Sequence, residues 1–311
     1  MRGFSRRAIN KLVRRLGPSA GQVWRRVYFS RWTKPVWRMM SPDSPPRVIY
    51  FYHLPKCAGS YMNALLLDIA IDRGADYAPF RRTDNTRTRE SDRELICFLE
   101  TVHRGGLTIV YHHHGYMGMD ELFEPLAAAR ERVRQAGGTL YAFMCLRDPV
   151  SHFISRVNFL GLDLNKAIHD ERNHNILYKY YLYNHHANHK EIRYDKEFFR
   201  SRLVAMDDIF FQEDLDPAIR TLNQQAGTDR LLTIDKRIKP PPPPGVSSNE
   251  TKYRVRPNDE QRRLIKELNS WDQWFYAEVA GGNWRHWHDA GCATASAPPV
   301  TPVAGSNSYQ T

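Results

Sequence analysis

No stretch of the 311-residue sequence approaches the ~18 consecutive apolar residues of a membrane-spanning helix, and no compact apolar segment of the secretory type stands near its start. The expectation is a chain that does not cross a membrane. Cysteine is scarce: Cys57, Cys97, Cys145 and Cys292 lie far apart without a Cys-x-x-Cys pair, which argues against a disulfide scaffold and for a reducing compartment. Acid is nearly missing from the first 46 residues, where eleven Lys and Arg face the single Asp43. That arm holds +10 of the net charge of +11, so the body is nearly neutral and no nucleic-acid partner is expected. From Ala290 onward there is no charged residue at all, and residues 289–311 are expected to form a flexible tail.

In the arm, Phe4, Ile9, Leu12, Val13 and Leu16 fall at roughly helical spacing among Arg and Lys, and Trp24, Tyr28, Phe29, Trp32 and Trp37 follow in a second basic stretch. Residues 1–40 suit an anionic membrane surface, and equally a helix docked on its own domain. An Arg-rich organellar presequence is a third option. Ser41 to Pro46 ends the arm as a linker, so residues 1–46 read as arm and linker and 47–288 as one globular domain.

The domain is organised around Val48 to Met62. Val48-Ile49-Tyr50-Phe51-Tyr52 reads as a buried strand, Pro55 and Gly59 mark a tight turn, and a helix begins near Tyr61. In such a turn the backbone amides from Lys56 to Tyr61 can converge on an anion, aided by the helix N-terminus and the Lys56 ammonium. The spacing differs from the nucleoside-triphosphate loop, which needs Gly, four residues, then Gly-Lys-Ser/Thr. Residues 74–90 read as a loop and 91–103 as a helix. Leu107–Tyr111 reads as a second strand leading into His112-His113-His114, then come a helix of about twenty residues from Asp120 and a third strand, Leu140–Leu146. The expected fold is α/β, a central parallel sheet with helices on both faces. Ligands in such sheets bind beyond the carboxyl ends of the strands, which selects Lys56, His114 and Arg147 as residues that follow predicted strands.

Asp148 suits the cap and Pro149 the first turn of the next helix, from which Ser155 can reach the same anion as Arg147. Tyr178, Tyr180, Tyr181 and Tyr183 suit stacking on a sugar, or equally the core face of a helix. His185, His186 and His189 have the spacing of a helical zinc pair but lack the glutamate and third ligand, so no metal site is assigned. Pro240–Pro244 reads as a stiff connector.

Two of these stretches resemble one family. His53-Leu54-Pro55-Lys56-x-x-Gly59-Ser60 is similar to the 5′-phosphosulfate loop of sulfotransferases that use 3′-phosphoadenosine 5′-phosphosulfate (PAPS), particularly the Golgi heparan/chondroitin type and its bacterial relatives. Cys57 and Tyr61 stand where Thr and Ser are usual. Arg147-Asp148-Pro149 through Ser155 resembles the 3′-phosphate motif of the same family, with His152 in place of the usual Arg. The resemblance implies a P-loop-like sheet, PAPS as cosubstrate and 3′,5′-ADP (PAP) as product. It implies a nucleotide site of Lys56, Cys57, Ala58, Gly59, Ser60, Tyr61, Arg147 and Ser155, and a closing loop bearing Asn249, Thr251 and Lys252. The acceptor would be a hydroxyl, on a glycan or glycolipid. Lys56 and a histidine base would be catalytic. His114 aligns best with the family's 2-O-sulfating members, His112 and His113 are its near neighbours, and Glu121 is the reserve because other branches use glutamate. The implied setting is cytoplasmic, peripheral at the inner membrane face. A nucleotide kinase and a non-catalytic nucleotide-binding protein are the rival expectations.

Overall fold

A computed structural model describes residues 44–81, 88–102, 105–113, 117–184, 192–233, 255–282 and 284. The arm before residue 44, His114, the His185/His186/His189 group, Pro240–Pro244, Asn249, Thr251, Lys252 and the tail lie outside the described residues.

Five strands, β1 (Arg47–His53), β2 (Asp76–Arg81), β3 (Leu107–His113), β4 (Thr139–Leu146) and β5 (Asp208–Phe211), form one sheet in the order β2-β3-β1-β4-β5. Every pairing is parallel, so the fold is α/β as expected. Val48 to His53 are all buried, and since successive strand residues point to opposite faces, both faces of β1 are covered. Phe51 stacks on Phe143 of β4 at 4.7 Å on one face. On the other, the Tyr52 hydroxyl lies 3.0 Å from the Tyr180 carbonyl oxygen.

The helices fall into three groups. α1 (Gly59–Arg73) packs on β2 and β3 and meets α8 (Asp216–Ala226), which leans on β1. α2 (Thr88–Thr101) and α3 (Met119–Gln135) pack on each other and on β2 and β4, with α6 (Ile176–Tyr183) and α7 (Lys196–Leu203) beyond. α4 (Pro149–Leu160), α5 (Leu164–His169) and α9 (Asp259–Leu268) enclose a smaller apolar cluster of Val150, Phe153, Val157, Ile168 and Ile265.

The structure corrects one expectation and decides between two readings in another case. The segment 74–90 contains strand β2: Gly74 and Pro79 read as loop residues, yet β2 is an edge strand, where a proline need not donate to a neighbour. Toward its end the described chain forms two successive helices, α9 and α10 (Ser270–Ala280), separated at Asn269. The tyrosines of α6 are core and offer no sugar platform. Tyr178 and Tyr181 are fully buried, and their hydroxyls donate to the carbonyl oxygens of Arg193 (2.8 Å) and Arg202 (2.7 Å).

α6 and α10 cap each other. The buried Asp272 carboxyl accepts from the Leu177 and Tyr178 amides at 3.1 and 2.8 Å, while Asn175 Oδ1 accepts from the Trp271 amide at 3.0 Å. Donors that a helix N-terminus leaves without partners are thereby satisfied inside the core. At the start of the sheet, Gly106 donates to the Ser44 carbonyl oxygen (3.4 Å) and Thr139 to that of Pro46 (2.9 Å). The chain thus enters β1 at the strands' amino ends. Among the described residues no helix is long and apolar enough to cross a membrane.

Candidate anion site

Because β1 is paired with β4 (Tyr52 opposite Met144), the loops that follow them emerge side by side from one edge of the sheet. The first, Leu54 to Ala58, folds back on itself: the Cys57 amide donates to the Leu54 carbonyl oxygen at 3.3 Å. Lys56 (φ 64°) and Ala58 (φ 56°) both adopt left-handed backbone, at a cost on the order of 1–3 kcal/mol each. Gly59 opens α1 beneath the His53 imidazole. A Cβ on it would stand 1.9 Å from His53 Nε2, and that ring is buried and stacked on His113 at 4.6 Å. Gly59→Ala is therefore expected to destabilise the fold by about 2–3 kcal/mol in urea unfolding, as overpacking does, and the cost should shrink in a His53→Ala background.

Of the six amides from Lys56 to Tyr61, three are engaged. Cys57 uses Leu54, Tyr61 donates to the Ala58 carbonyl oxygen (3.0 Å), and Ala58 donates to Gln212 Oε1 (2.9 Å). The amides of Lys56, Gly59 and Ser60 have no partner among the described residues. The anion cradle is thus narrower than the sequence implies, and Cys57, Ala58 and Tyr61 contribute loop shape more than donors. Cys57 is no reactive thiolate: burial, with Cys145 nearby, pushes its thiol well above the ordinary value.

In the neighbouring loop, after β4, Asp148 Oδ1 caps α4 by accepting from Ser151 at 2.8 Å, with Pro149 in the first turn as expected. Arg147 lies against the first loop, its Nη1 3.5 Å from the Lys56 carbonyl oxygen. Burial first, and the Arg147 guanidinium second, push the Lys56 ammonium below its ordinary pKa, and its Nζ sits 4.1 Å over the Phe159 ring. Neither cation has a carboxylate partner among the described residues. His152 Nε2 donates to the Pro55 carbonyl oxygen at 2.9 Å; burial lowers its pKa to about 3, so the ring is neutral. His152 and Phe159 touch the first loop from α4, and Ser155 lies between them by helical spacing, on the side facing that loop.

The chain matches no family model and no curated protein. At this edge of the sheet stand two cations without a carboxylate partner and three amides without an acceptor among the described residues, with a serine on the adjoining helix, groups suited to an anionic ligand. Of the three histidines, His112 points into the opposite face, its Nδ1 3.0 Å from the Tyr50 hydroxyl, and burial lowers its pKa to about 3. A ring so placed is a poor proton acceptor for solvent-side chemistry. His113 is half-buried against His53, and Glu121 sits in the first turn of α3.

Sequence reasoning missed His152 as a loop support and missed Gln212 and Glu213 altogether. The strand-end rule that selected Lys56 and Arg147 selects Gln212 as well, since it follows β5 directly.

Proposed function

We propose that the chain is a PAPS-dependent O-sulfotransferase on a P-loop-like fold, moving the sulfuryl group to a hydroxyl of an acceptor, a glycan or glycolipid. One observation carries the reading: Lys56 and Arg147, 91 residues apart, meet at one sheet edge without acidic partners among the described residues. Burial and the neighbouring Arg147 both work against the Lys56 ammonium, a cost that a bound anion would offset. The free amides and Ser155 give that anion donors.

In this reading Lys56 and the amides of Lys56, Gly59 and Ser60 stabilise charge on the departing 5′-phosphate, and Arg147 with Ser155 holds the 3′-phosphate in register for in-line displacement. His114 would take the acceptor proton, and Asn249, Thr251 and Lys252 would contribute to the nucleotide site; all four lie outside the described residues. The basic arm would hold the enzyme on an anionic membrane surface, at the inner face.

The test is a thermal-shift titration. At a hundredfold excess over Kd, 3′,5′-ADP without magnesium is expected to add about 2.7 kcal/mol of stability and raise Tm by roughly 5–10 °C. Stabilisation by ATP with magnesium and none by 3′,5′-ADP would point to phosphoryl transfer. Stabilisation by 3′,5′-ADP without turnover on any acceptor would leave a binding protein.

A further inference from the structure

The turn after β5 reaches both anion loops with consecutive residues. Gln212 Oε1 accepts from the Ala58 amide at 2.9 Å, and Glu213 Oε1 accepts from the Asp148 amide at 3.0 Å. The Gln212 amide itself donates to the Leu146 carbonyl oxygen at 2.7 Å, extending the ladder between β5 and β4. Its backbone is thereby fixed to the strand that carries Arg147, and its side chain crosses to the loop that carries Lys56. Ala58 is one of the two left-handed residues in that loop, and its carbonyl oxygen receives the Tyr61 and Met62 amides at 3.0 Å. Holding its N–H fixes the rotation of the peptide unit from which the Gly59 and Ser60 donors follow.

We infer that Gln212 is a positioning residue for the anion site, a brace that sets the Lys56 loop at a fixed offset from Arg147, with Glu213 fixing the second loop more weakly. A neutral amide suits such a brace because it accepts from Ala58 without neutralising the neighbouring cations, as a carboxylate there would. Glu213 is exposed, so its bond competes with water and contributes less. The inference rests on the anion-site reading above, though not on the identity of the group transferred.

The test compares the full chain with Gln212→Leu, Gln212→Glu and Glu213→Ala, by calorimetric titration at 25 °C with 3′,5′-ADP and separately with inorganic sulfate. Exchange of the Ala58 amide is followed by hydrogen–deuterium exchange without ligand. Gln212→Leu is expected to weaken 3′,5′-ADP binding by about tenfold, the scale of one lost hydrogen bond, and to speed Ala58 exchange while the unfolding midpoint stays near that of the unmodified chain. Gln212→Glu is expected to keep Ala58 protected and still weaken binding, because it adds a negative charge beside the cradle. Glu213→Ala should cost about twofold. Unchanged affinity in Gln212→Leu, with the unmodified chain binding normally, overturns the brace and leaves the anion site standing. Failure of the unmodified chain to bind either probe overturns both. A loss in Gln212→Leu that only tracks a lowered unfolding midpoint assigns Gln212 to the fold and also overturns the brace.

Discussion

On the proposed reading, Lys56→Ala is expected to lower sulfuryl transfer from PAPS by about a thousandfold, the scale on which preorganised donors to a developing charge act. Arg147→Ala should instead show chiefly in nucleotide affinity, with 3′,5′-ADP binding weakened by about a hundredfold, since a charge-assisted and in part bidentate contact is lost. The contrast follows from the geometry. Lys56 lies in the loop that would surround the departing phosphate, whereas Arg147 follows β4 and reaches that loop from the neighbouring strand. Transfer of radiolabelled sulfate with an acceptor panel, together with calorimetric titration of 3′,5′-ADP, separates the two effects. Equal and small losses in both variants would remove the two cations from any common site.

The second large effect is expected away from the crevice. Asp272→Ala should lower the unfolding free energy by about 3 kcal/mol or more, because the Leu177 and Tyr178 amides would be left buried without an acceptor. Burial pushes the Asp272 carboxyl from the ordinary 3.8 up to about 7, against the pull of those two amides. The folded chain therefore binds this proton more tightly than the unfolded one. Its contribution to stability is complete below about pH 4 and is lost as pH rises through about 7, a difference of a few kcal/mol. Urea unfolding from pH 4 to 8 should show that decline in the unmodified chain and its absence in Asp272→Asn. A stability that rises with pH over this range in the unmodified chain alone would mean that the carboxylate form is the one the fold prefers.

Much of the architecture was legible because the strands are unusually uniform. Val48 to Tyr52, Leu107 to Tyr111 and Leu140 to Leu146 are runs of apolar, aromatic and β-branched residues, which fit strands buried on both faces, and each lies within a strand of the structure. The edge strand Asp76–Arg81 was hidden because an unpaired edge tolerates the residues that otherwise signal a loop. Within the site, the strand-end rule found Lys56 and Arg147, and parallel pairing of β1 with β4 brings them together. The donor set was less legible: nothing local to Ala58 says that its amide is taken by Gln212, 154 residues away. For the α6 tyrosines, a face fit for sugar and a face fit for a core look alike until the tertiary partners are known. Tyr178 against Phe199 at 4.7 Å decides for the core.

The point at which the polypeptide joins the sheet has a consequence for access. Ser44 and Pro46 are pinned at the amino ends of the strands, while Lys56 and Arg147 open at the carboxyl ends, a strand length of about 20 Å away. A tether fixed at Ser44 itself would therefore hold the domain by the edge of the sheet opposite the candidate site.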